Sequence, residues 1–167
     1  MPIEEDAAEE SKKMDTEEST AEVAVKTEED RLLYLVNLDD MQLRFVYPIL
    51  SGFDRIEVER LLPRIIKESV GKDNDALNVI YERISLSKSN PPLSKAQLLV
   101  YLHRLDGTQC VPTLTPKEIL DSIGVCLNRE DFKGDVIRDT LFELIKDETP
   151  PLLLMRTAIL SAQKYQE

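Results

Sequence analysis

Residues 115–127, Thr115-Pro116-Lys117-Glu118-Ile119-Leu120-Asp121-Ser122-Ile123-Gly124-Val125-Cys126-Leu127, decide the fold. Thr115 supplies an N-cap oxygen, Pro116 has no N–H to leave unpaired at the first helical position, and Glu118 can reach back to the cap. This is the clearest helix start in the chain. Ile119, Leu120, Ile123 and Leu127 then recur at helical spacing and form a stripe to bury.

The same grammar extends on both sides. Ser94 with Gln97 opens a helix carrying Leu98, Leu99, Tyr101, Leu102 and Leu105, which Asp106-Gly107 closes before a connector over 108–114. Asp54 with Glu57 opens another, whose broad face is Ile56, Val58, Leu61, Leu62, Ile65 and Ile66; Pro63 inside it predicts two short helices meeting at Leu62. Gly71 ends that segment, Ala76, Leu77, Val79, Ile80 and Ile84 mark the next helix, and 85–92 reads as a loop. Upstream, Leu32 to Leu38 and Leu43 to Leu50 are helical up to Ser51-Gly52, bent or divided at Pro48. Downstream, Val136, Ile137, Leu141, Phe142, Leu144 and Ile145 form a helix ending before Pro150-Pro151, and 152–165 forms the last. Strand-type alternation is absent. The expectation is therefore all-α, with seven or eight helices as an all-α domain or as stacked antiparallel helix pairs. No period of about 34 or 40-odd residues repeats, and a HEAT-like array stays open because such arrays are defined by alternating helices more than by sequence.

The 167 residues are 42% apolar and 32% charged, which fits one modest domain and a tail. Residues 1–30 hold twelve acids against three lysines, a charge of −9, and leave −2 of the total −11 to the rest. With no aromatics and few large apolar groups, that segment cannot offset roughly 1–2 kcal/mol of backbone entropy per ordered residue. It is expected to be a disordered acidic tail, either solubilising or an acidic partner-binding arm, ahead of a helical domain over 31–167. The longest stretch without charge is the ten residues 107–116, half of a membrane span, and Met1-Pro2-Ile3 with the acids after it lacks the basic and apolar regions of a secretory signal, so no export is expected. Cys110 and Cys126 form no disulfide framework and suit a reducing compartment, so an intracellular location is expected.

Few residues offer chemistry. His103 is the sole histidine, with no second histidine or paired cysteine near it in sequence, and reads as structural. A Cys110 or Cys126 nucleophile paired with His103 is the rival reading, and it requires hydrogen-bond reach between them. The five glycines are scattered at helix ends and breaks and form no phosphate loop. The acid pairs Asp39-Asp40, Asp73-Asp75 and Glu130-Asp131 stand at expected helix starts, where the helix dipole favours them. No basic stripe with interleaved aromatics exists, so direct nucleic-acid binding is not expected. No catalytic residue, cofactor or metal site is expected either, which leaves protein recognition. The apolar run Leu152-Leu153-Leu154-Met155 surrounds its helix, and is either buried, with Arg156 paired or snorkelling, or an interface.

Two stretches carry a family resemblance. Val46-Tyr47-Pro48-Ile49-Leu50-Ser51-Gly52-Phe53, with Glu57-Val58 and Leu61-Leu62-Pro63-Arg64-Ile65-Ile66, resembles the C-terminal domain of the symplekin family. So does the order Pro92-Leu93, Leu98-Leu99, Leu102-His103, Cys110 and Pro151-Leu152-Leu153-Leu154-Met155-Arg156-Thr157, the last being the most specific. The resemblance spans 41–165. It implies a nuclear, non-catalytic, HEAT-type scaffold of pre-mRNA 3′-end formation, with no direct contact to nucleic acid or membrane. The implied partners are the metallo-β-lactamase endonuclease subunit of the cleavage and polyadenylation specificity factor and its inactive paralogue. Cleavage stimulation factor and the histone pre-mRNA processing complex are related ones. The family name also carries a tight-junction association. A helical adaptor unrelated to RNA processing is the alternative.

Family members are longer, with an N-terminal helical array and further helices beyond the last one here, so the domain is expected to be incomplete at its C-terminal end. The final helix then exposes an apolar face. The residues assigned to partner binding are Leu152, Leu153, Leu154, Met155, Arg156, Val46, Tyr47 and Phe53.

Overall fold

The computed structural model describes residues 29–86 and 90–165. The expected disordered tail and the middle of the 85–92 loop lie outside them. By contacts the chain divides into two units, Met1–Leu38 and Asp39–Glu167. In the first, the described residues form helix α1 (residues 29–36).

The second unit contains α2 (Asp40–Val46), a 3-10 segment (Tyr47–Gly52), α3 (Arg55–Ser69), α4 (Asn74–Ser85), α5 (Lys95–Arg104), α6 (Pro116–Asn128), α7 (Gly134–Ile145) and α8 (Leu154–Lys164). All secondary structure among the described residues is helical. The expected all-α class holds.

Local chemistry sets the helix starts. Asp39 with Gln42, Asp54 with Glu57, Ser94 with Gln97 and Thr115 with Glu118 all form complete capping boxes, and Asp73 Oδ1 accepts from the Ala76 N–H at 2.9 Å. Each such cap is worth about 1 kcal/mol. Asp131 lies elsewhere: Lys133 occupies the N-cap of α7, and Asp131 instead pairs with Arg129 and Lys95. Gly71, at φ +74°, turns the chain out of α3 in the left-handed region that favours glycine.

Pro63 corrects the sequence reading. α3 runs unbroken for 15 residues through it. Proline deprives the carbonyl four residues back, that of Glu59, of its helical donor. The Tyr101 hydroxyl of α5 donates to that oxygen at 2.5 Å, so the orphaned acceptor becomes a tie between helices. Pro48 does divide its segment, and α2 tightens there into the 3-10 turn.

The core is built mainly by α3 to α6. Leu61, Leu62, Ile65 and Ile66 of α3, Leu77, Tyr81 and Ile84 of α4, Leu98, Leu99 and Leu102 of α5, and Cys126 of α6 are fully enclosed. α6 packs against α3, α4 and α5. Polar links cross the same seams. Lys67 of α3 pairs with Glu118 of α6 at 2.9 Å, the buried Tyr81 and Ser122 hydroxyls bond α4 to α6, and Arg129 Nη1 donates to the Asn78 carbonyl at 2.6 Å. At the α5–α6 connector, a Cβ on Gly107 would lie 2.2 Å from the Leu114 carbonyl oxygen, so only glycine fits.

α7 packs against α5, and α8 against α7. Leu144 and Leu154 form a small cluster with Val100 of α5, with Leu141 against it, and Ile137 of α7 is also buried.

Candidate protein-binding surface

The last helix begins later than its sequence suggests. Leu152 and Leu153 form a turn ahead of α8, and Leu152 is 97% exposed. Of the apolar run, Leu154 alone is buried, Leu153 is half-buried and Met155 is 68% exposed. Of the two readings of the run, burial therefore holds for Leu154 alone. A run of four apolar residues covers every direction of a helix, but two of these four precede the helix and so escape its packing.

α8 is also turned against its own polarity. Besides Leu154, it buries Thr157 and Ser161 and leaves Met155, Ile159 and Leu160 outward. Hydrogen bonds hold its inward face. The Ser161 hydroxyl is absorbed by the Thr157 carbonyl at 2.7 Å. Thr157 Oγ1 lies 2.8 Å from His103 Nε2, while His103 Nδ1 lies 2.7 Å from the Leu99 carbonyl. A carbonyl only accepts, so Nδ1 carries the proton and Nε2 of the neutral ring takes the Thr157 hydroxyl hydrogen. Burial holds the His103 pKa below its ordinary value and so favours that neutral ring. Two further bonds anchor the end of α8: Lys164 Nζ to the Leu127 carbonyl at 2.5 Å and the Tyr165 hydroxyl to the Phe132 carbonyl at 2.6 Å.

α7 adds to the outward apolar surface. Its buried stripe is Ile137, Thr140 and Leu144, which leaves Phe142 and Ile145 on the other side, each 65% exposed. The sequence reading named both among the apolar residues of this helix without assigning them a side. Their offset by one position from Leu141 and Leu144 is the signal that separates them.

The upstream site residues are likewise one register off. Val46 is buried in the core, and Tyr47 and Phe53 are half-buried. The exposed apolar residues there are Met41, Phe45 and Ile49, four apart along α2 and the 3-10 turn. Val46 and Leu154 are therefore core positions, whereas Leu152, Met155 and the exposed Arg156 lie open to a partner.

The candidate nucleophiles do not pair with the histidine. Both His103 nitrogens are taken by Leu99 and Thr157. The half-buried Cys110 donates its S–H to the Asp106 carbonyl at 3.3 Å, and Cys126 is fully enclosed. Burial pushes both thiols upward, away from the reactive thiolate. Among the described residues, no group of three or more His, Cys, Asp or Glu side chains is arranged to hold a metal ion. No helix among them is long and apolar enough to cross a membrane.

No solved structure matches the chain. The family model described as symplekin tight junction protein C terminal matches residues 42–167, which takes in α3 to α8 and all but the first two residues of α2. A helical chain whose polar chemistry is spent on caps and ties, and which turns apolar residues outward on α2, α7 and α8, thus belongs to the symplekin C-terminal family, whose helical scaffold character points away from catalysis.

Proposed function

We propose that this chain is a non-catalytic scaffold module of nuclear pre-mRNA 3′-end processing. It joins the cleavage endonuclease subunit and that subunit's inactive paralogue to the rest of the cleavage and polyadenylation machinery. Cleavage stimulation factor and the histone pre-mRNA processing complex are related partners. The observation that carries this reading is the family match over 42–167, taken with the outward apolar residues of α7 and α8. A helix that buries Thr157 and Ser161 while exposing Met155 and Ile159 gains free energy when a partner covers it, at about 25 cal/mol per Å² of apolar area removed from water.

The test is affinity purification of the tagged full chain from nuclear extract, beside a Leu152→Asp, Met155→Asp double variant. Both positions are exposed, so the variant keeps its fold and its circular dichroism. Recovery of the endonuclease subunit and its paralogue with the native chain, lost with the variant, is the expected result. Failure of the native chain to retain either subunit sinks the assignment and favours an adaptor outside RNA processing.

A further inference from the structure

Between α6 and α8 the surface opens into a groove of about 420 Å³. Leu120, Asp121 and Gly124 line it from α6, and Arg156 and Leu160 from α8. Gly124 stands inside α6 without a positive φ, and a Cβ placed on it would meet nothing within 4 Å. Glycine weakens a helix interior relative to alanine, and neither backbone conformation nor packing requires it here. A bare backbone facing open space is what a close-approaching neighbour needs. The charges are also open: Asp121 and Arg156 are both exposed, and neither forms an ion pair among the described residues.

We propose that this groove docks an amphipathic helix of a partner protein, its apolar stripe on Leu120, Gly124 and Leu160, with an acid facing Arg156 and a base facing Asp121. The proposal rests on the scaffold reading and gives its partner a chemistry. A second copy of this chain fits less well, because its α8 laid in the groove brings Arg156 and Lys164 toward Asp121 but carries no acid to face Arg156.

The probe is a lactam-bridged helical peptide of eighteen residues with leucines at i, i+3, i+4 and i+7. It is made in three forms, with Glu on one flank and Lys on the other, Glu on both, or Lys on both. Titrated into the isotope-labelled full chain, the Glu/Lys form is expected to bind tightest and to shift amides of α6 and α8. Arg156→Glu makes both walls acidic and is expected to move the preference to the Lys/Lys form by about tenfold, one charge contact being worth about 1.4 kcal/mol. Gly124→Gln is expected to raise the Tm of the free chain by about 2 °C while weakening the peptide at least tenfold. Unchanged affinity in Gly124→Gln, no switch in Arg156→Glu, or shifts away from α6 and α8 would overturn the groove. A parallel binding assay with the purified endonuclease subunit and paralogue separates the two claims. Retention by both native and Gly124→Gln chains removes the groove and keeps the scaffold. Peptide binding without subunit retention keeps the groove and removes the choice of partner.

Discussion

Helices α3 to α6 and helices α7 and α8 solve the same packing problem with different means. In the first group, three of the four helices open on complete capping boxes and the fourth on Asp73, and between them they enclose most of the large apolar side chains. In the second, neither Lys133 nor Leu153 caps its helix with a side chain, and the buried faces include Thr140, Thr157 and Ser161. Apolar burial secures one region, whereas hydrogen bonds and a few buried apolar side chains, Ile137, Leu144 and Leu154, secure the other. The difference separates a base from a face. Side chains that would strengthen α7 and α8 by being buried are instead left where a partner can cover them.

Core truncations should break this contrast most widely. Ile65→Ala in α3 removes a fully enclosed side chain and is expected to destabilise by about 2–5 kcal/mol. Met155→Ala and Phe142→Ala should each stay within about 0.5 kcal/mol, because both side chains are mostly exposed. Urea unfolding of the three variants checks it. A cost above 2 kcal/mol for Met155→Ala would make α8 part of the base.

Gly107 comes next in size. A methyl group at 2.2 Å from the Leu114 carbonyl oxygen forces the α5–α6 connector apart and breaks the Leu114 N–H to Gly107 carbonyl bond of 2.9 Å. Gly107→Ala is expected to destabilise by about 1–3 kcal/mol, the range of overpacking. Gly124→Ala in the same experiment should not destabilise, since its Cβ meets nothing. Equal losses at the two glycines would refute the difference between a packed and an open position.

Much of the base was legible in the sequence, because caps and stripes are local. The pairs Asp54 and Glu57, Ser94 and Gln97, and Thr115 and Glu118 all act at a spacing of three residues, so reading them needs no tertiary knowledge. Pro63 misled because its remedy is not local: the Tyr101 hydroxyl that takes the freed Glu59 carbonyl lies 42 positions away. The face was legible only in part. Leu152 and Met155 stand out as apolar, but their exposure depends on α8 starting at Leu154 and resting on Thr157 and Ser161. A hydrophobicity pattern assigns the inward side to the apolar residues, and α8 reverses that assignment. Val46 and Phe45 differ by one register position, and without a partner helix in view the sequence does not say which turns inward.

The missing caps can be supplied. Lys133 has the extended backbone of an N-cap, φ −79° and ψ 174°, and no side-chain bond to the helix. Lys133→Ser places an acceptor before the open N–H groups of α7 and is expected to add about 0.5–1 kcal/mol. Leu153, at φ −78° and ψ −11°, has helical backbone instead, so Leu153→Ser should gain little. Thermal unfolding of both variants measures how far the weakness of this region is a matter of end chemistry rather than of its exposed apolar surface.

The smallest effects should come from acid, and should arrive in two steps. The folded pKa of His103 is lowered by burial, so the open chain takes up a proton at its ordinary 6.5 while the folded ring resists. Stability held by the neutral ring is complete above 6.5 and falls as pH drops from there toward the folded value. Because His103 holds Thr157, hydrogen exchange should show α8 amides losing protection in this upper window. Glu118 is held at about 2 by the Thr115 backbone N–H and the Lys67 ammonium, against 4.5 in the open chain. Its contribution is complete above 4.5 and is lost as pH falls from there toward 2, in the α3–α6 seam. Glu118→Gln should flatten the lower step and leave the upper one. His103→Gln should do the reverse. A single step shared by both regions, unaffected by either variant, would show that α8 and the base open as one unit and that their different construction has no energetic consequence.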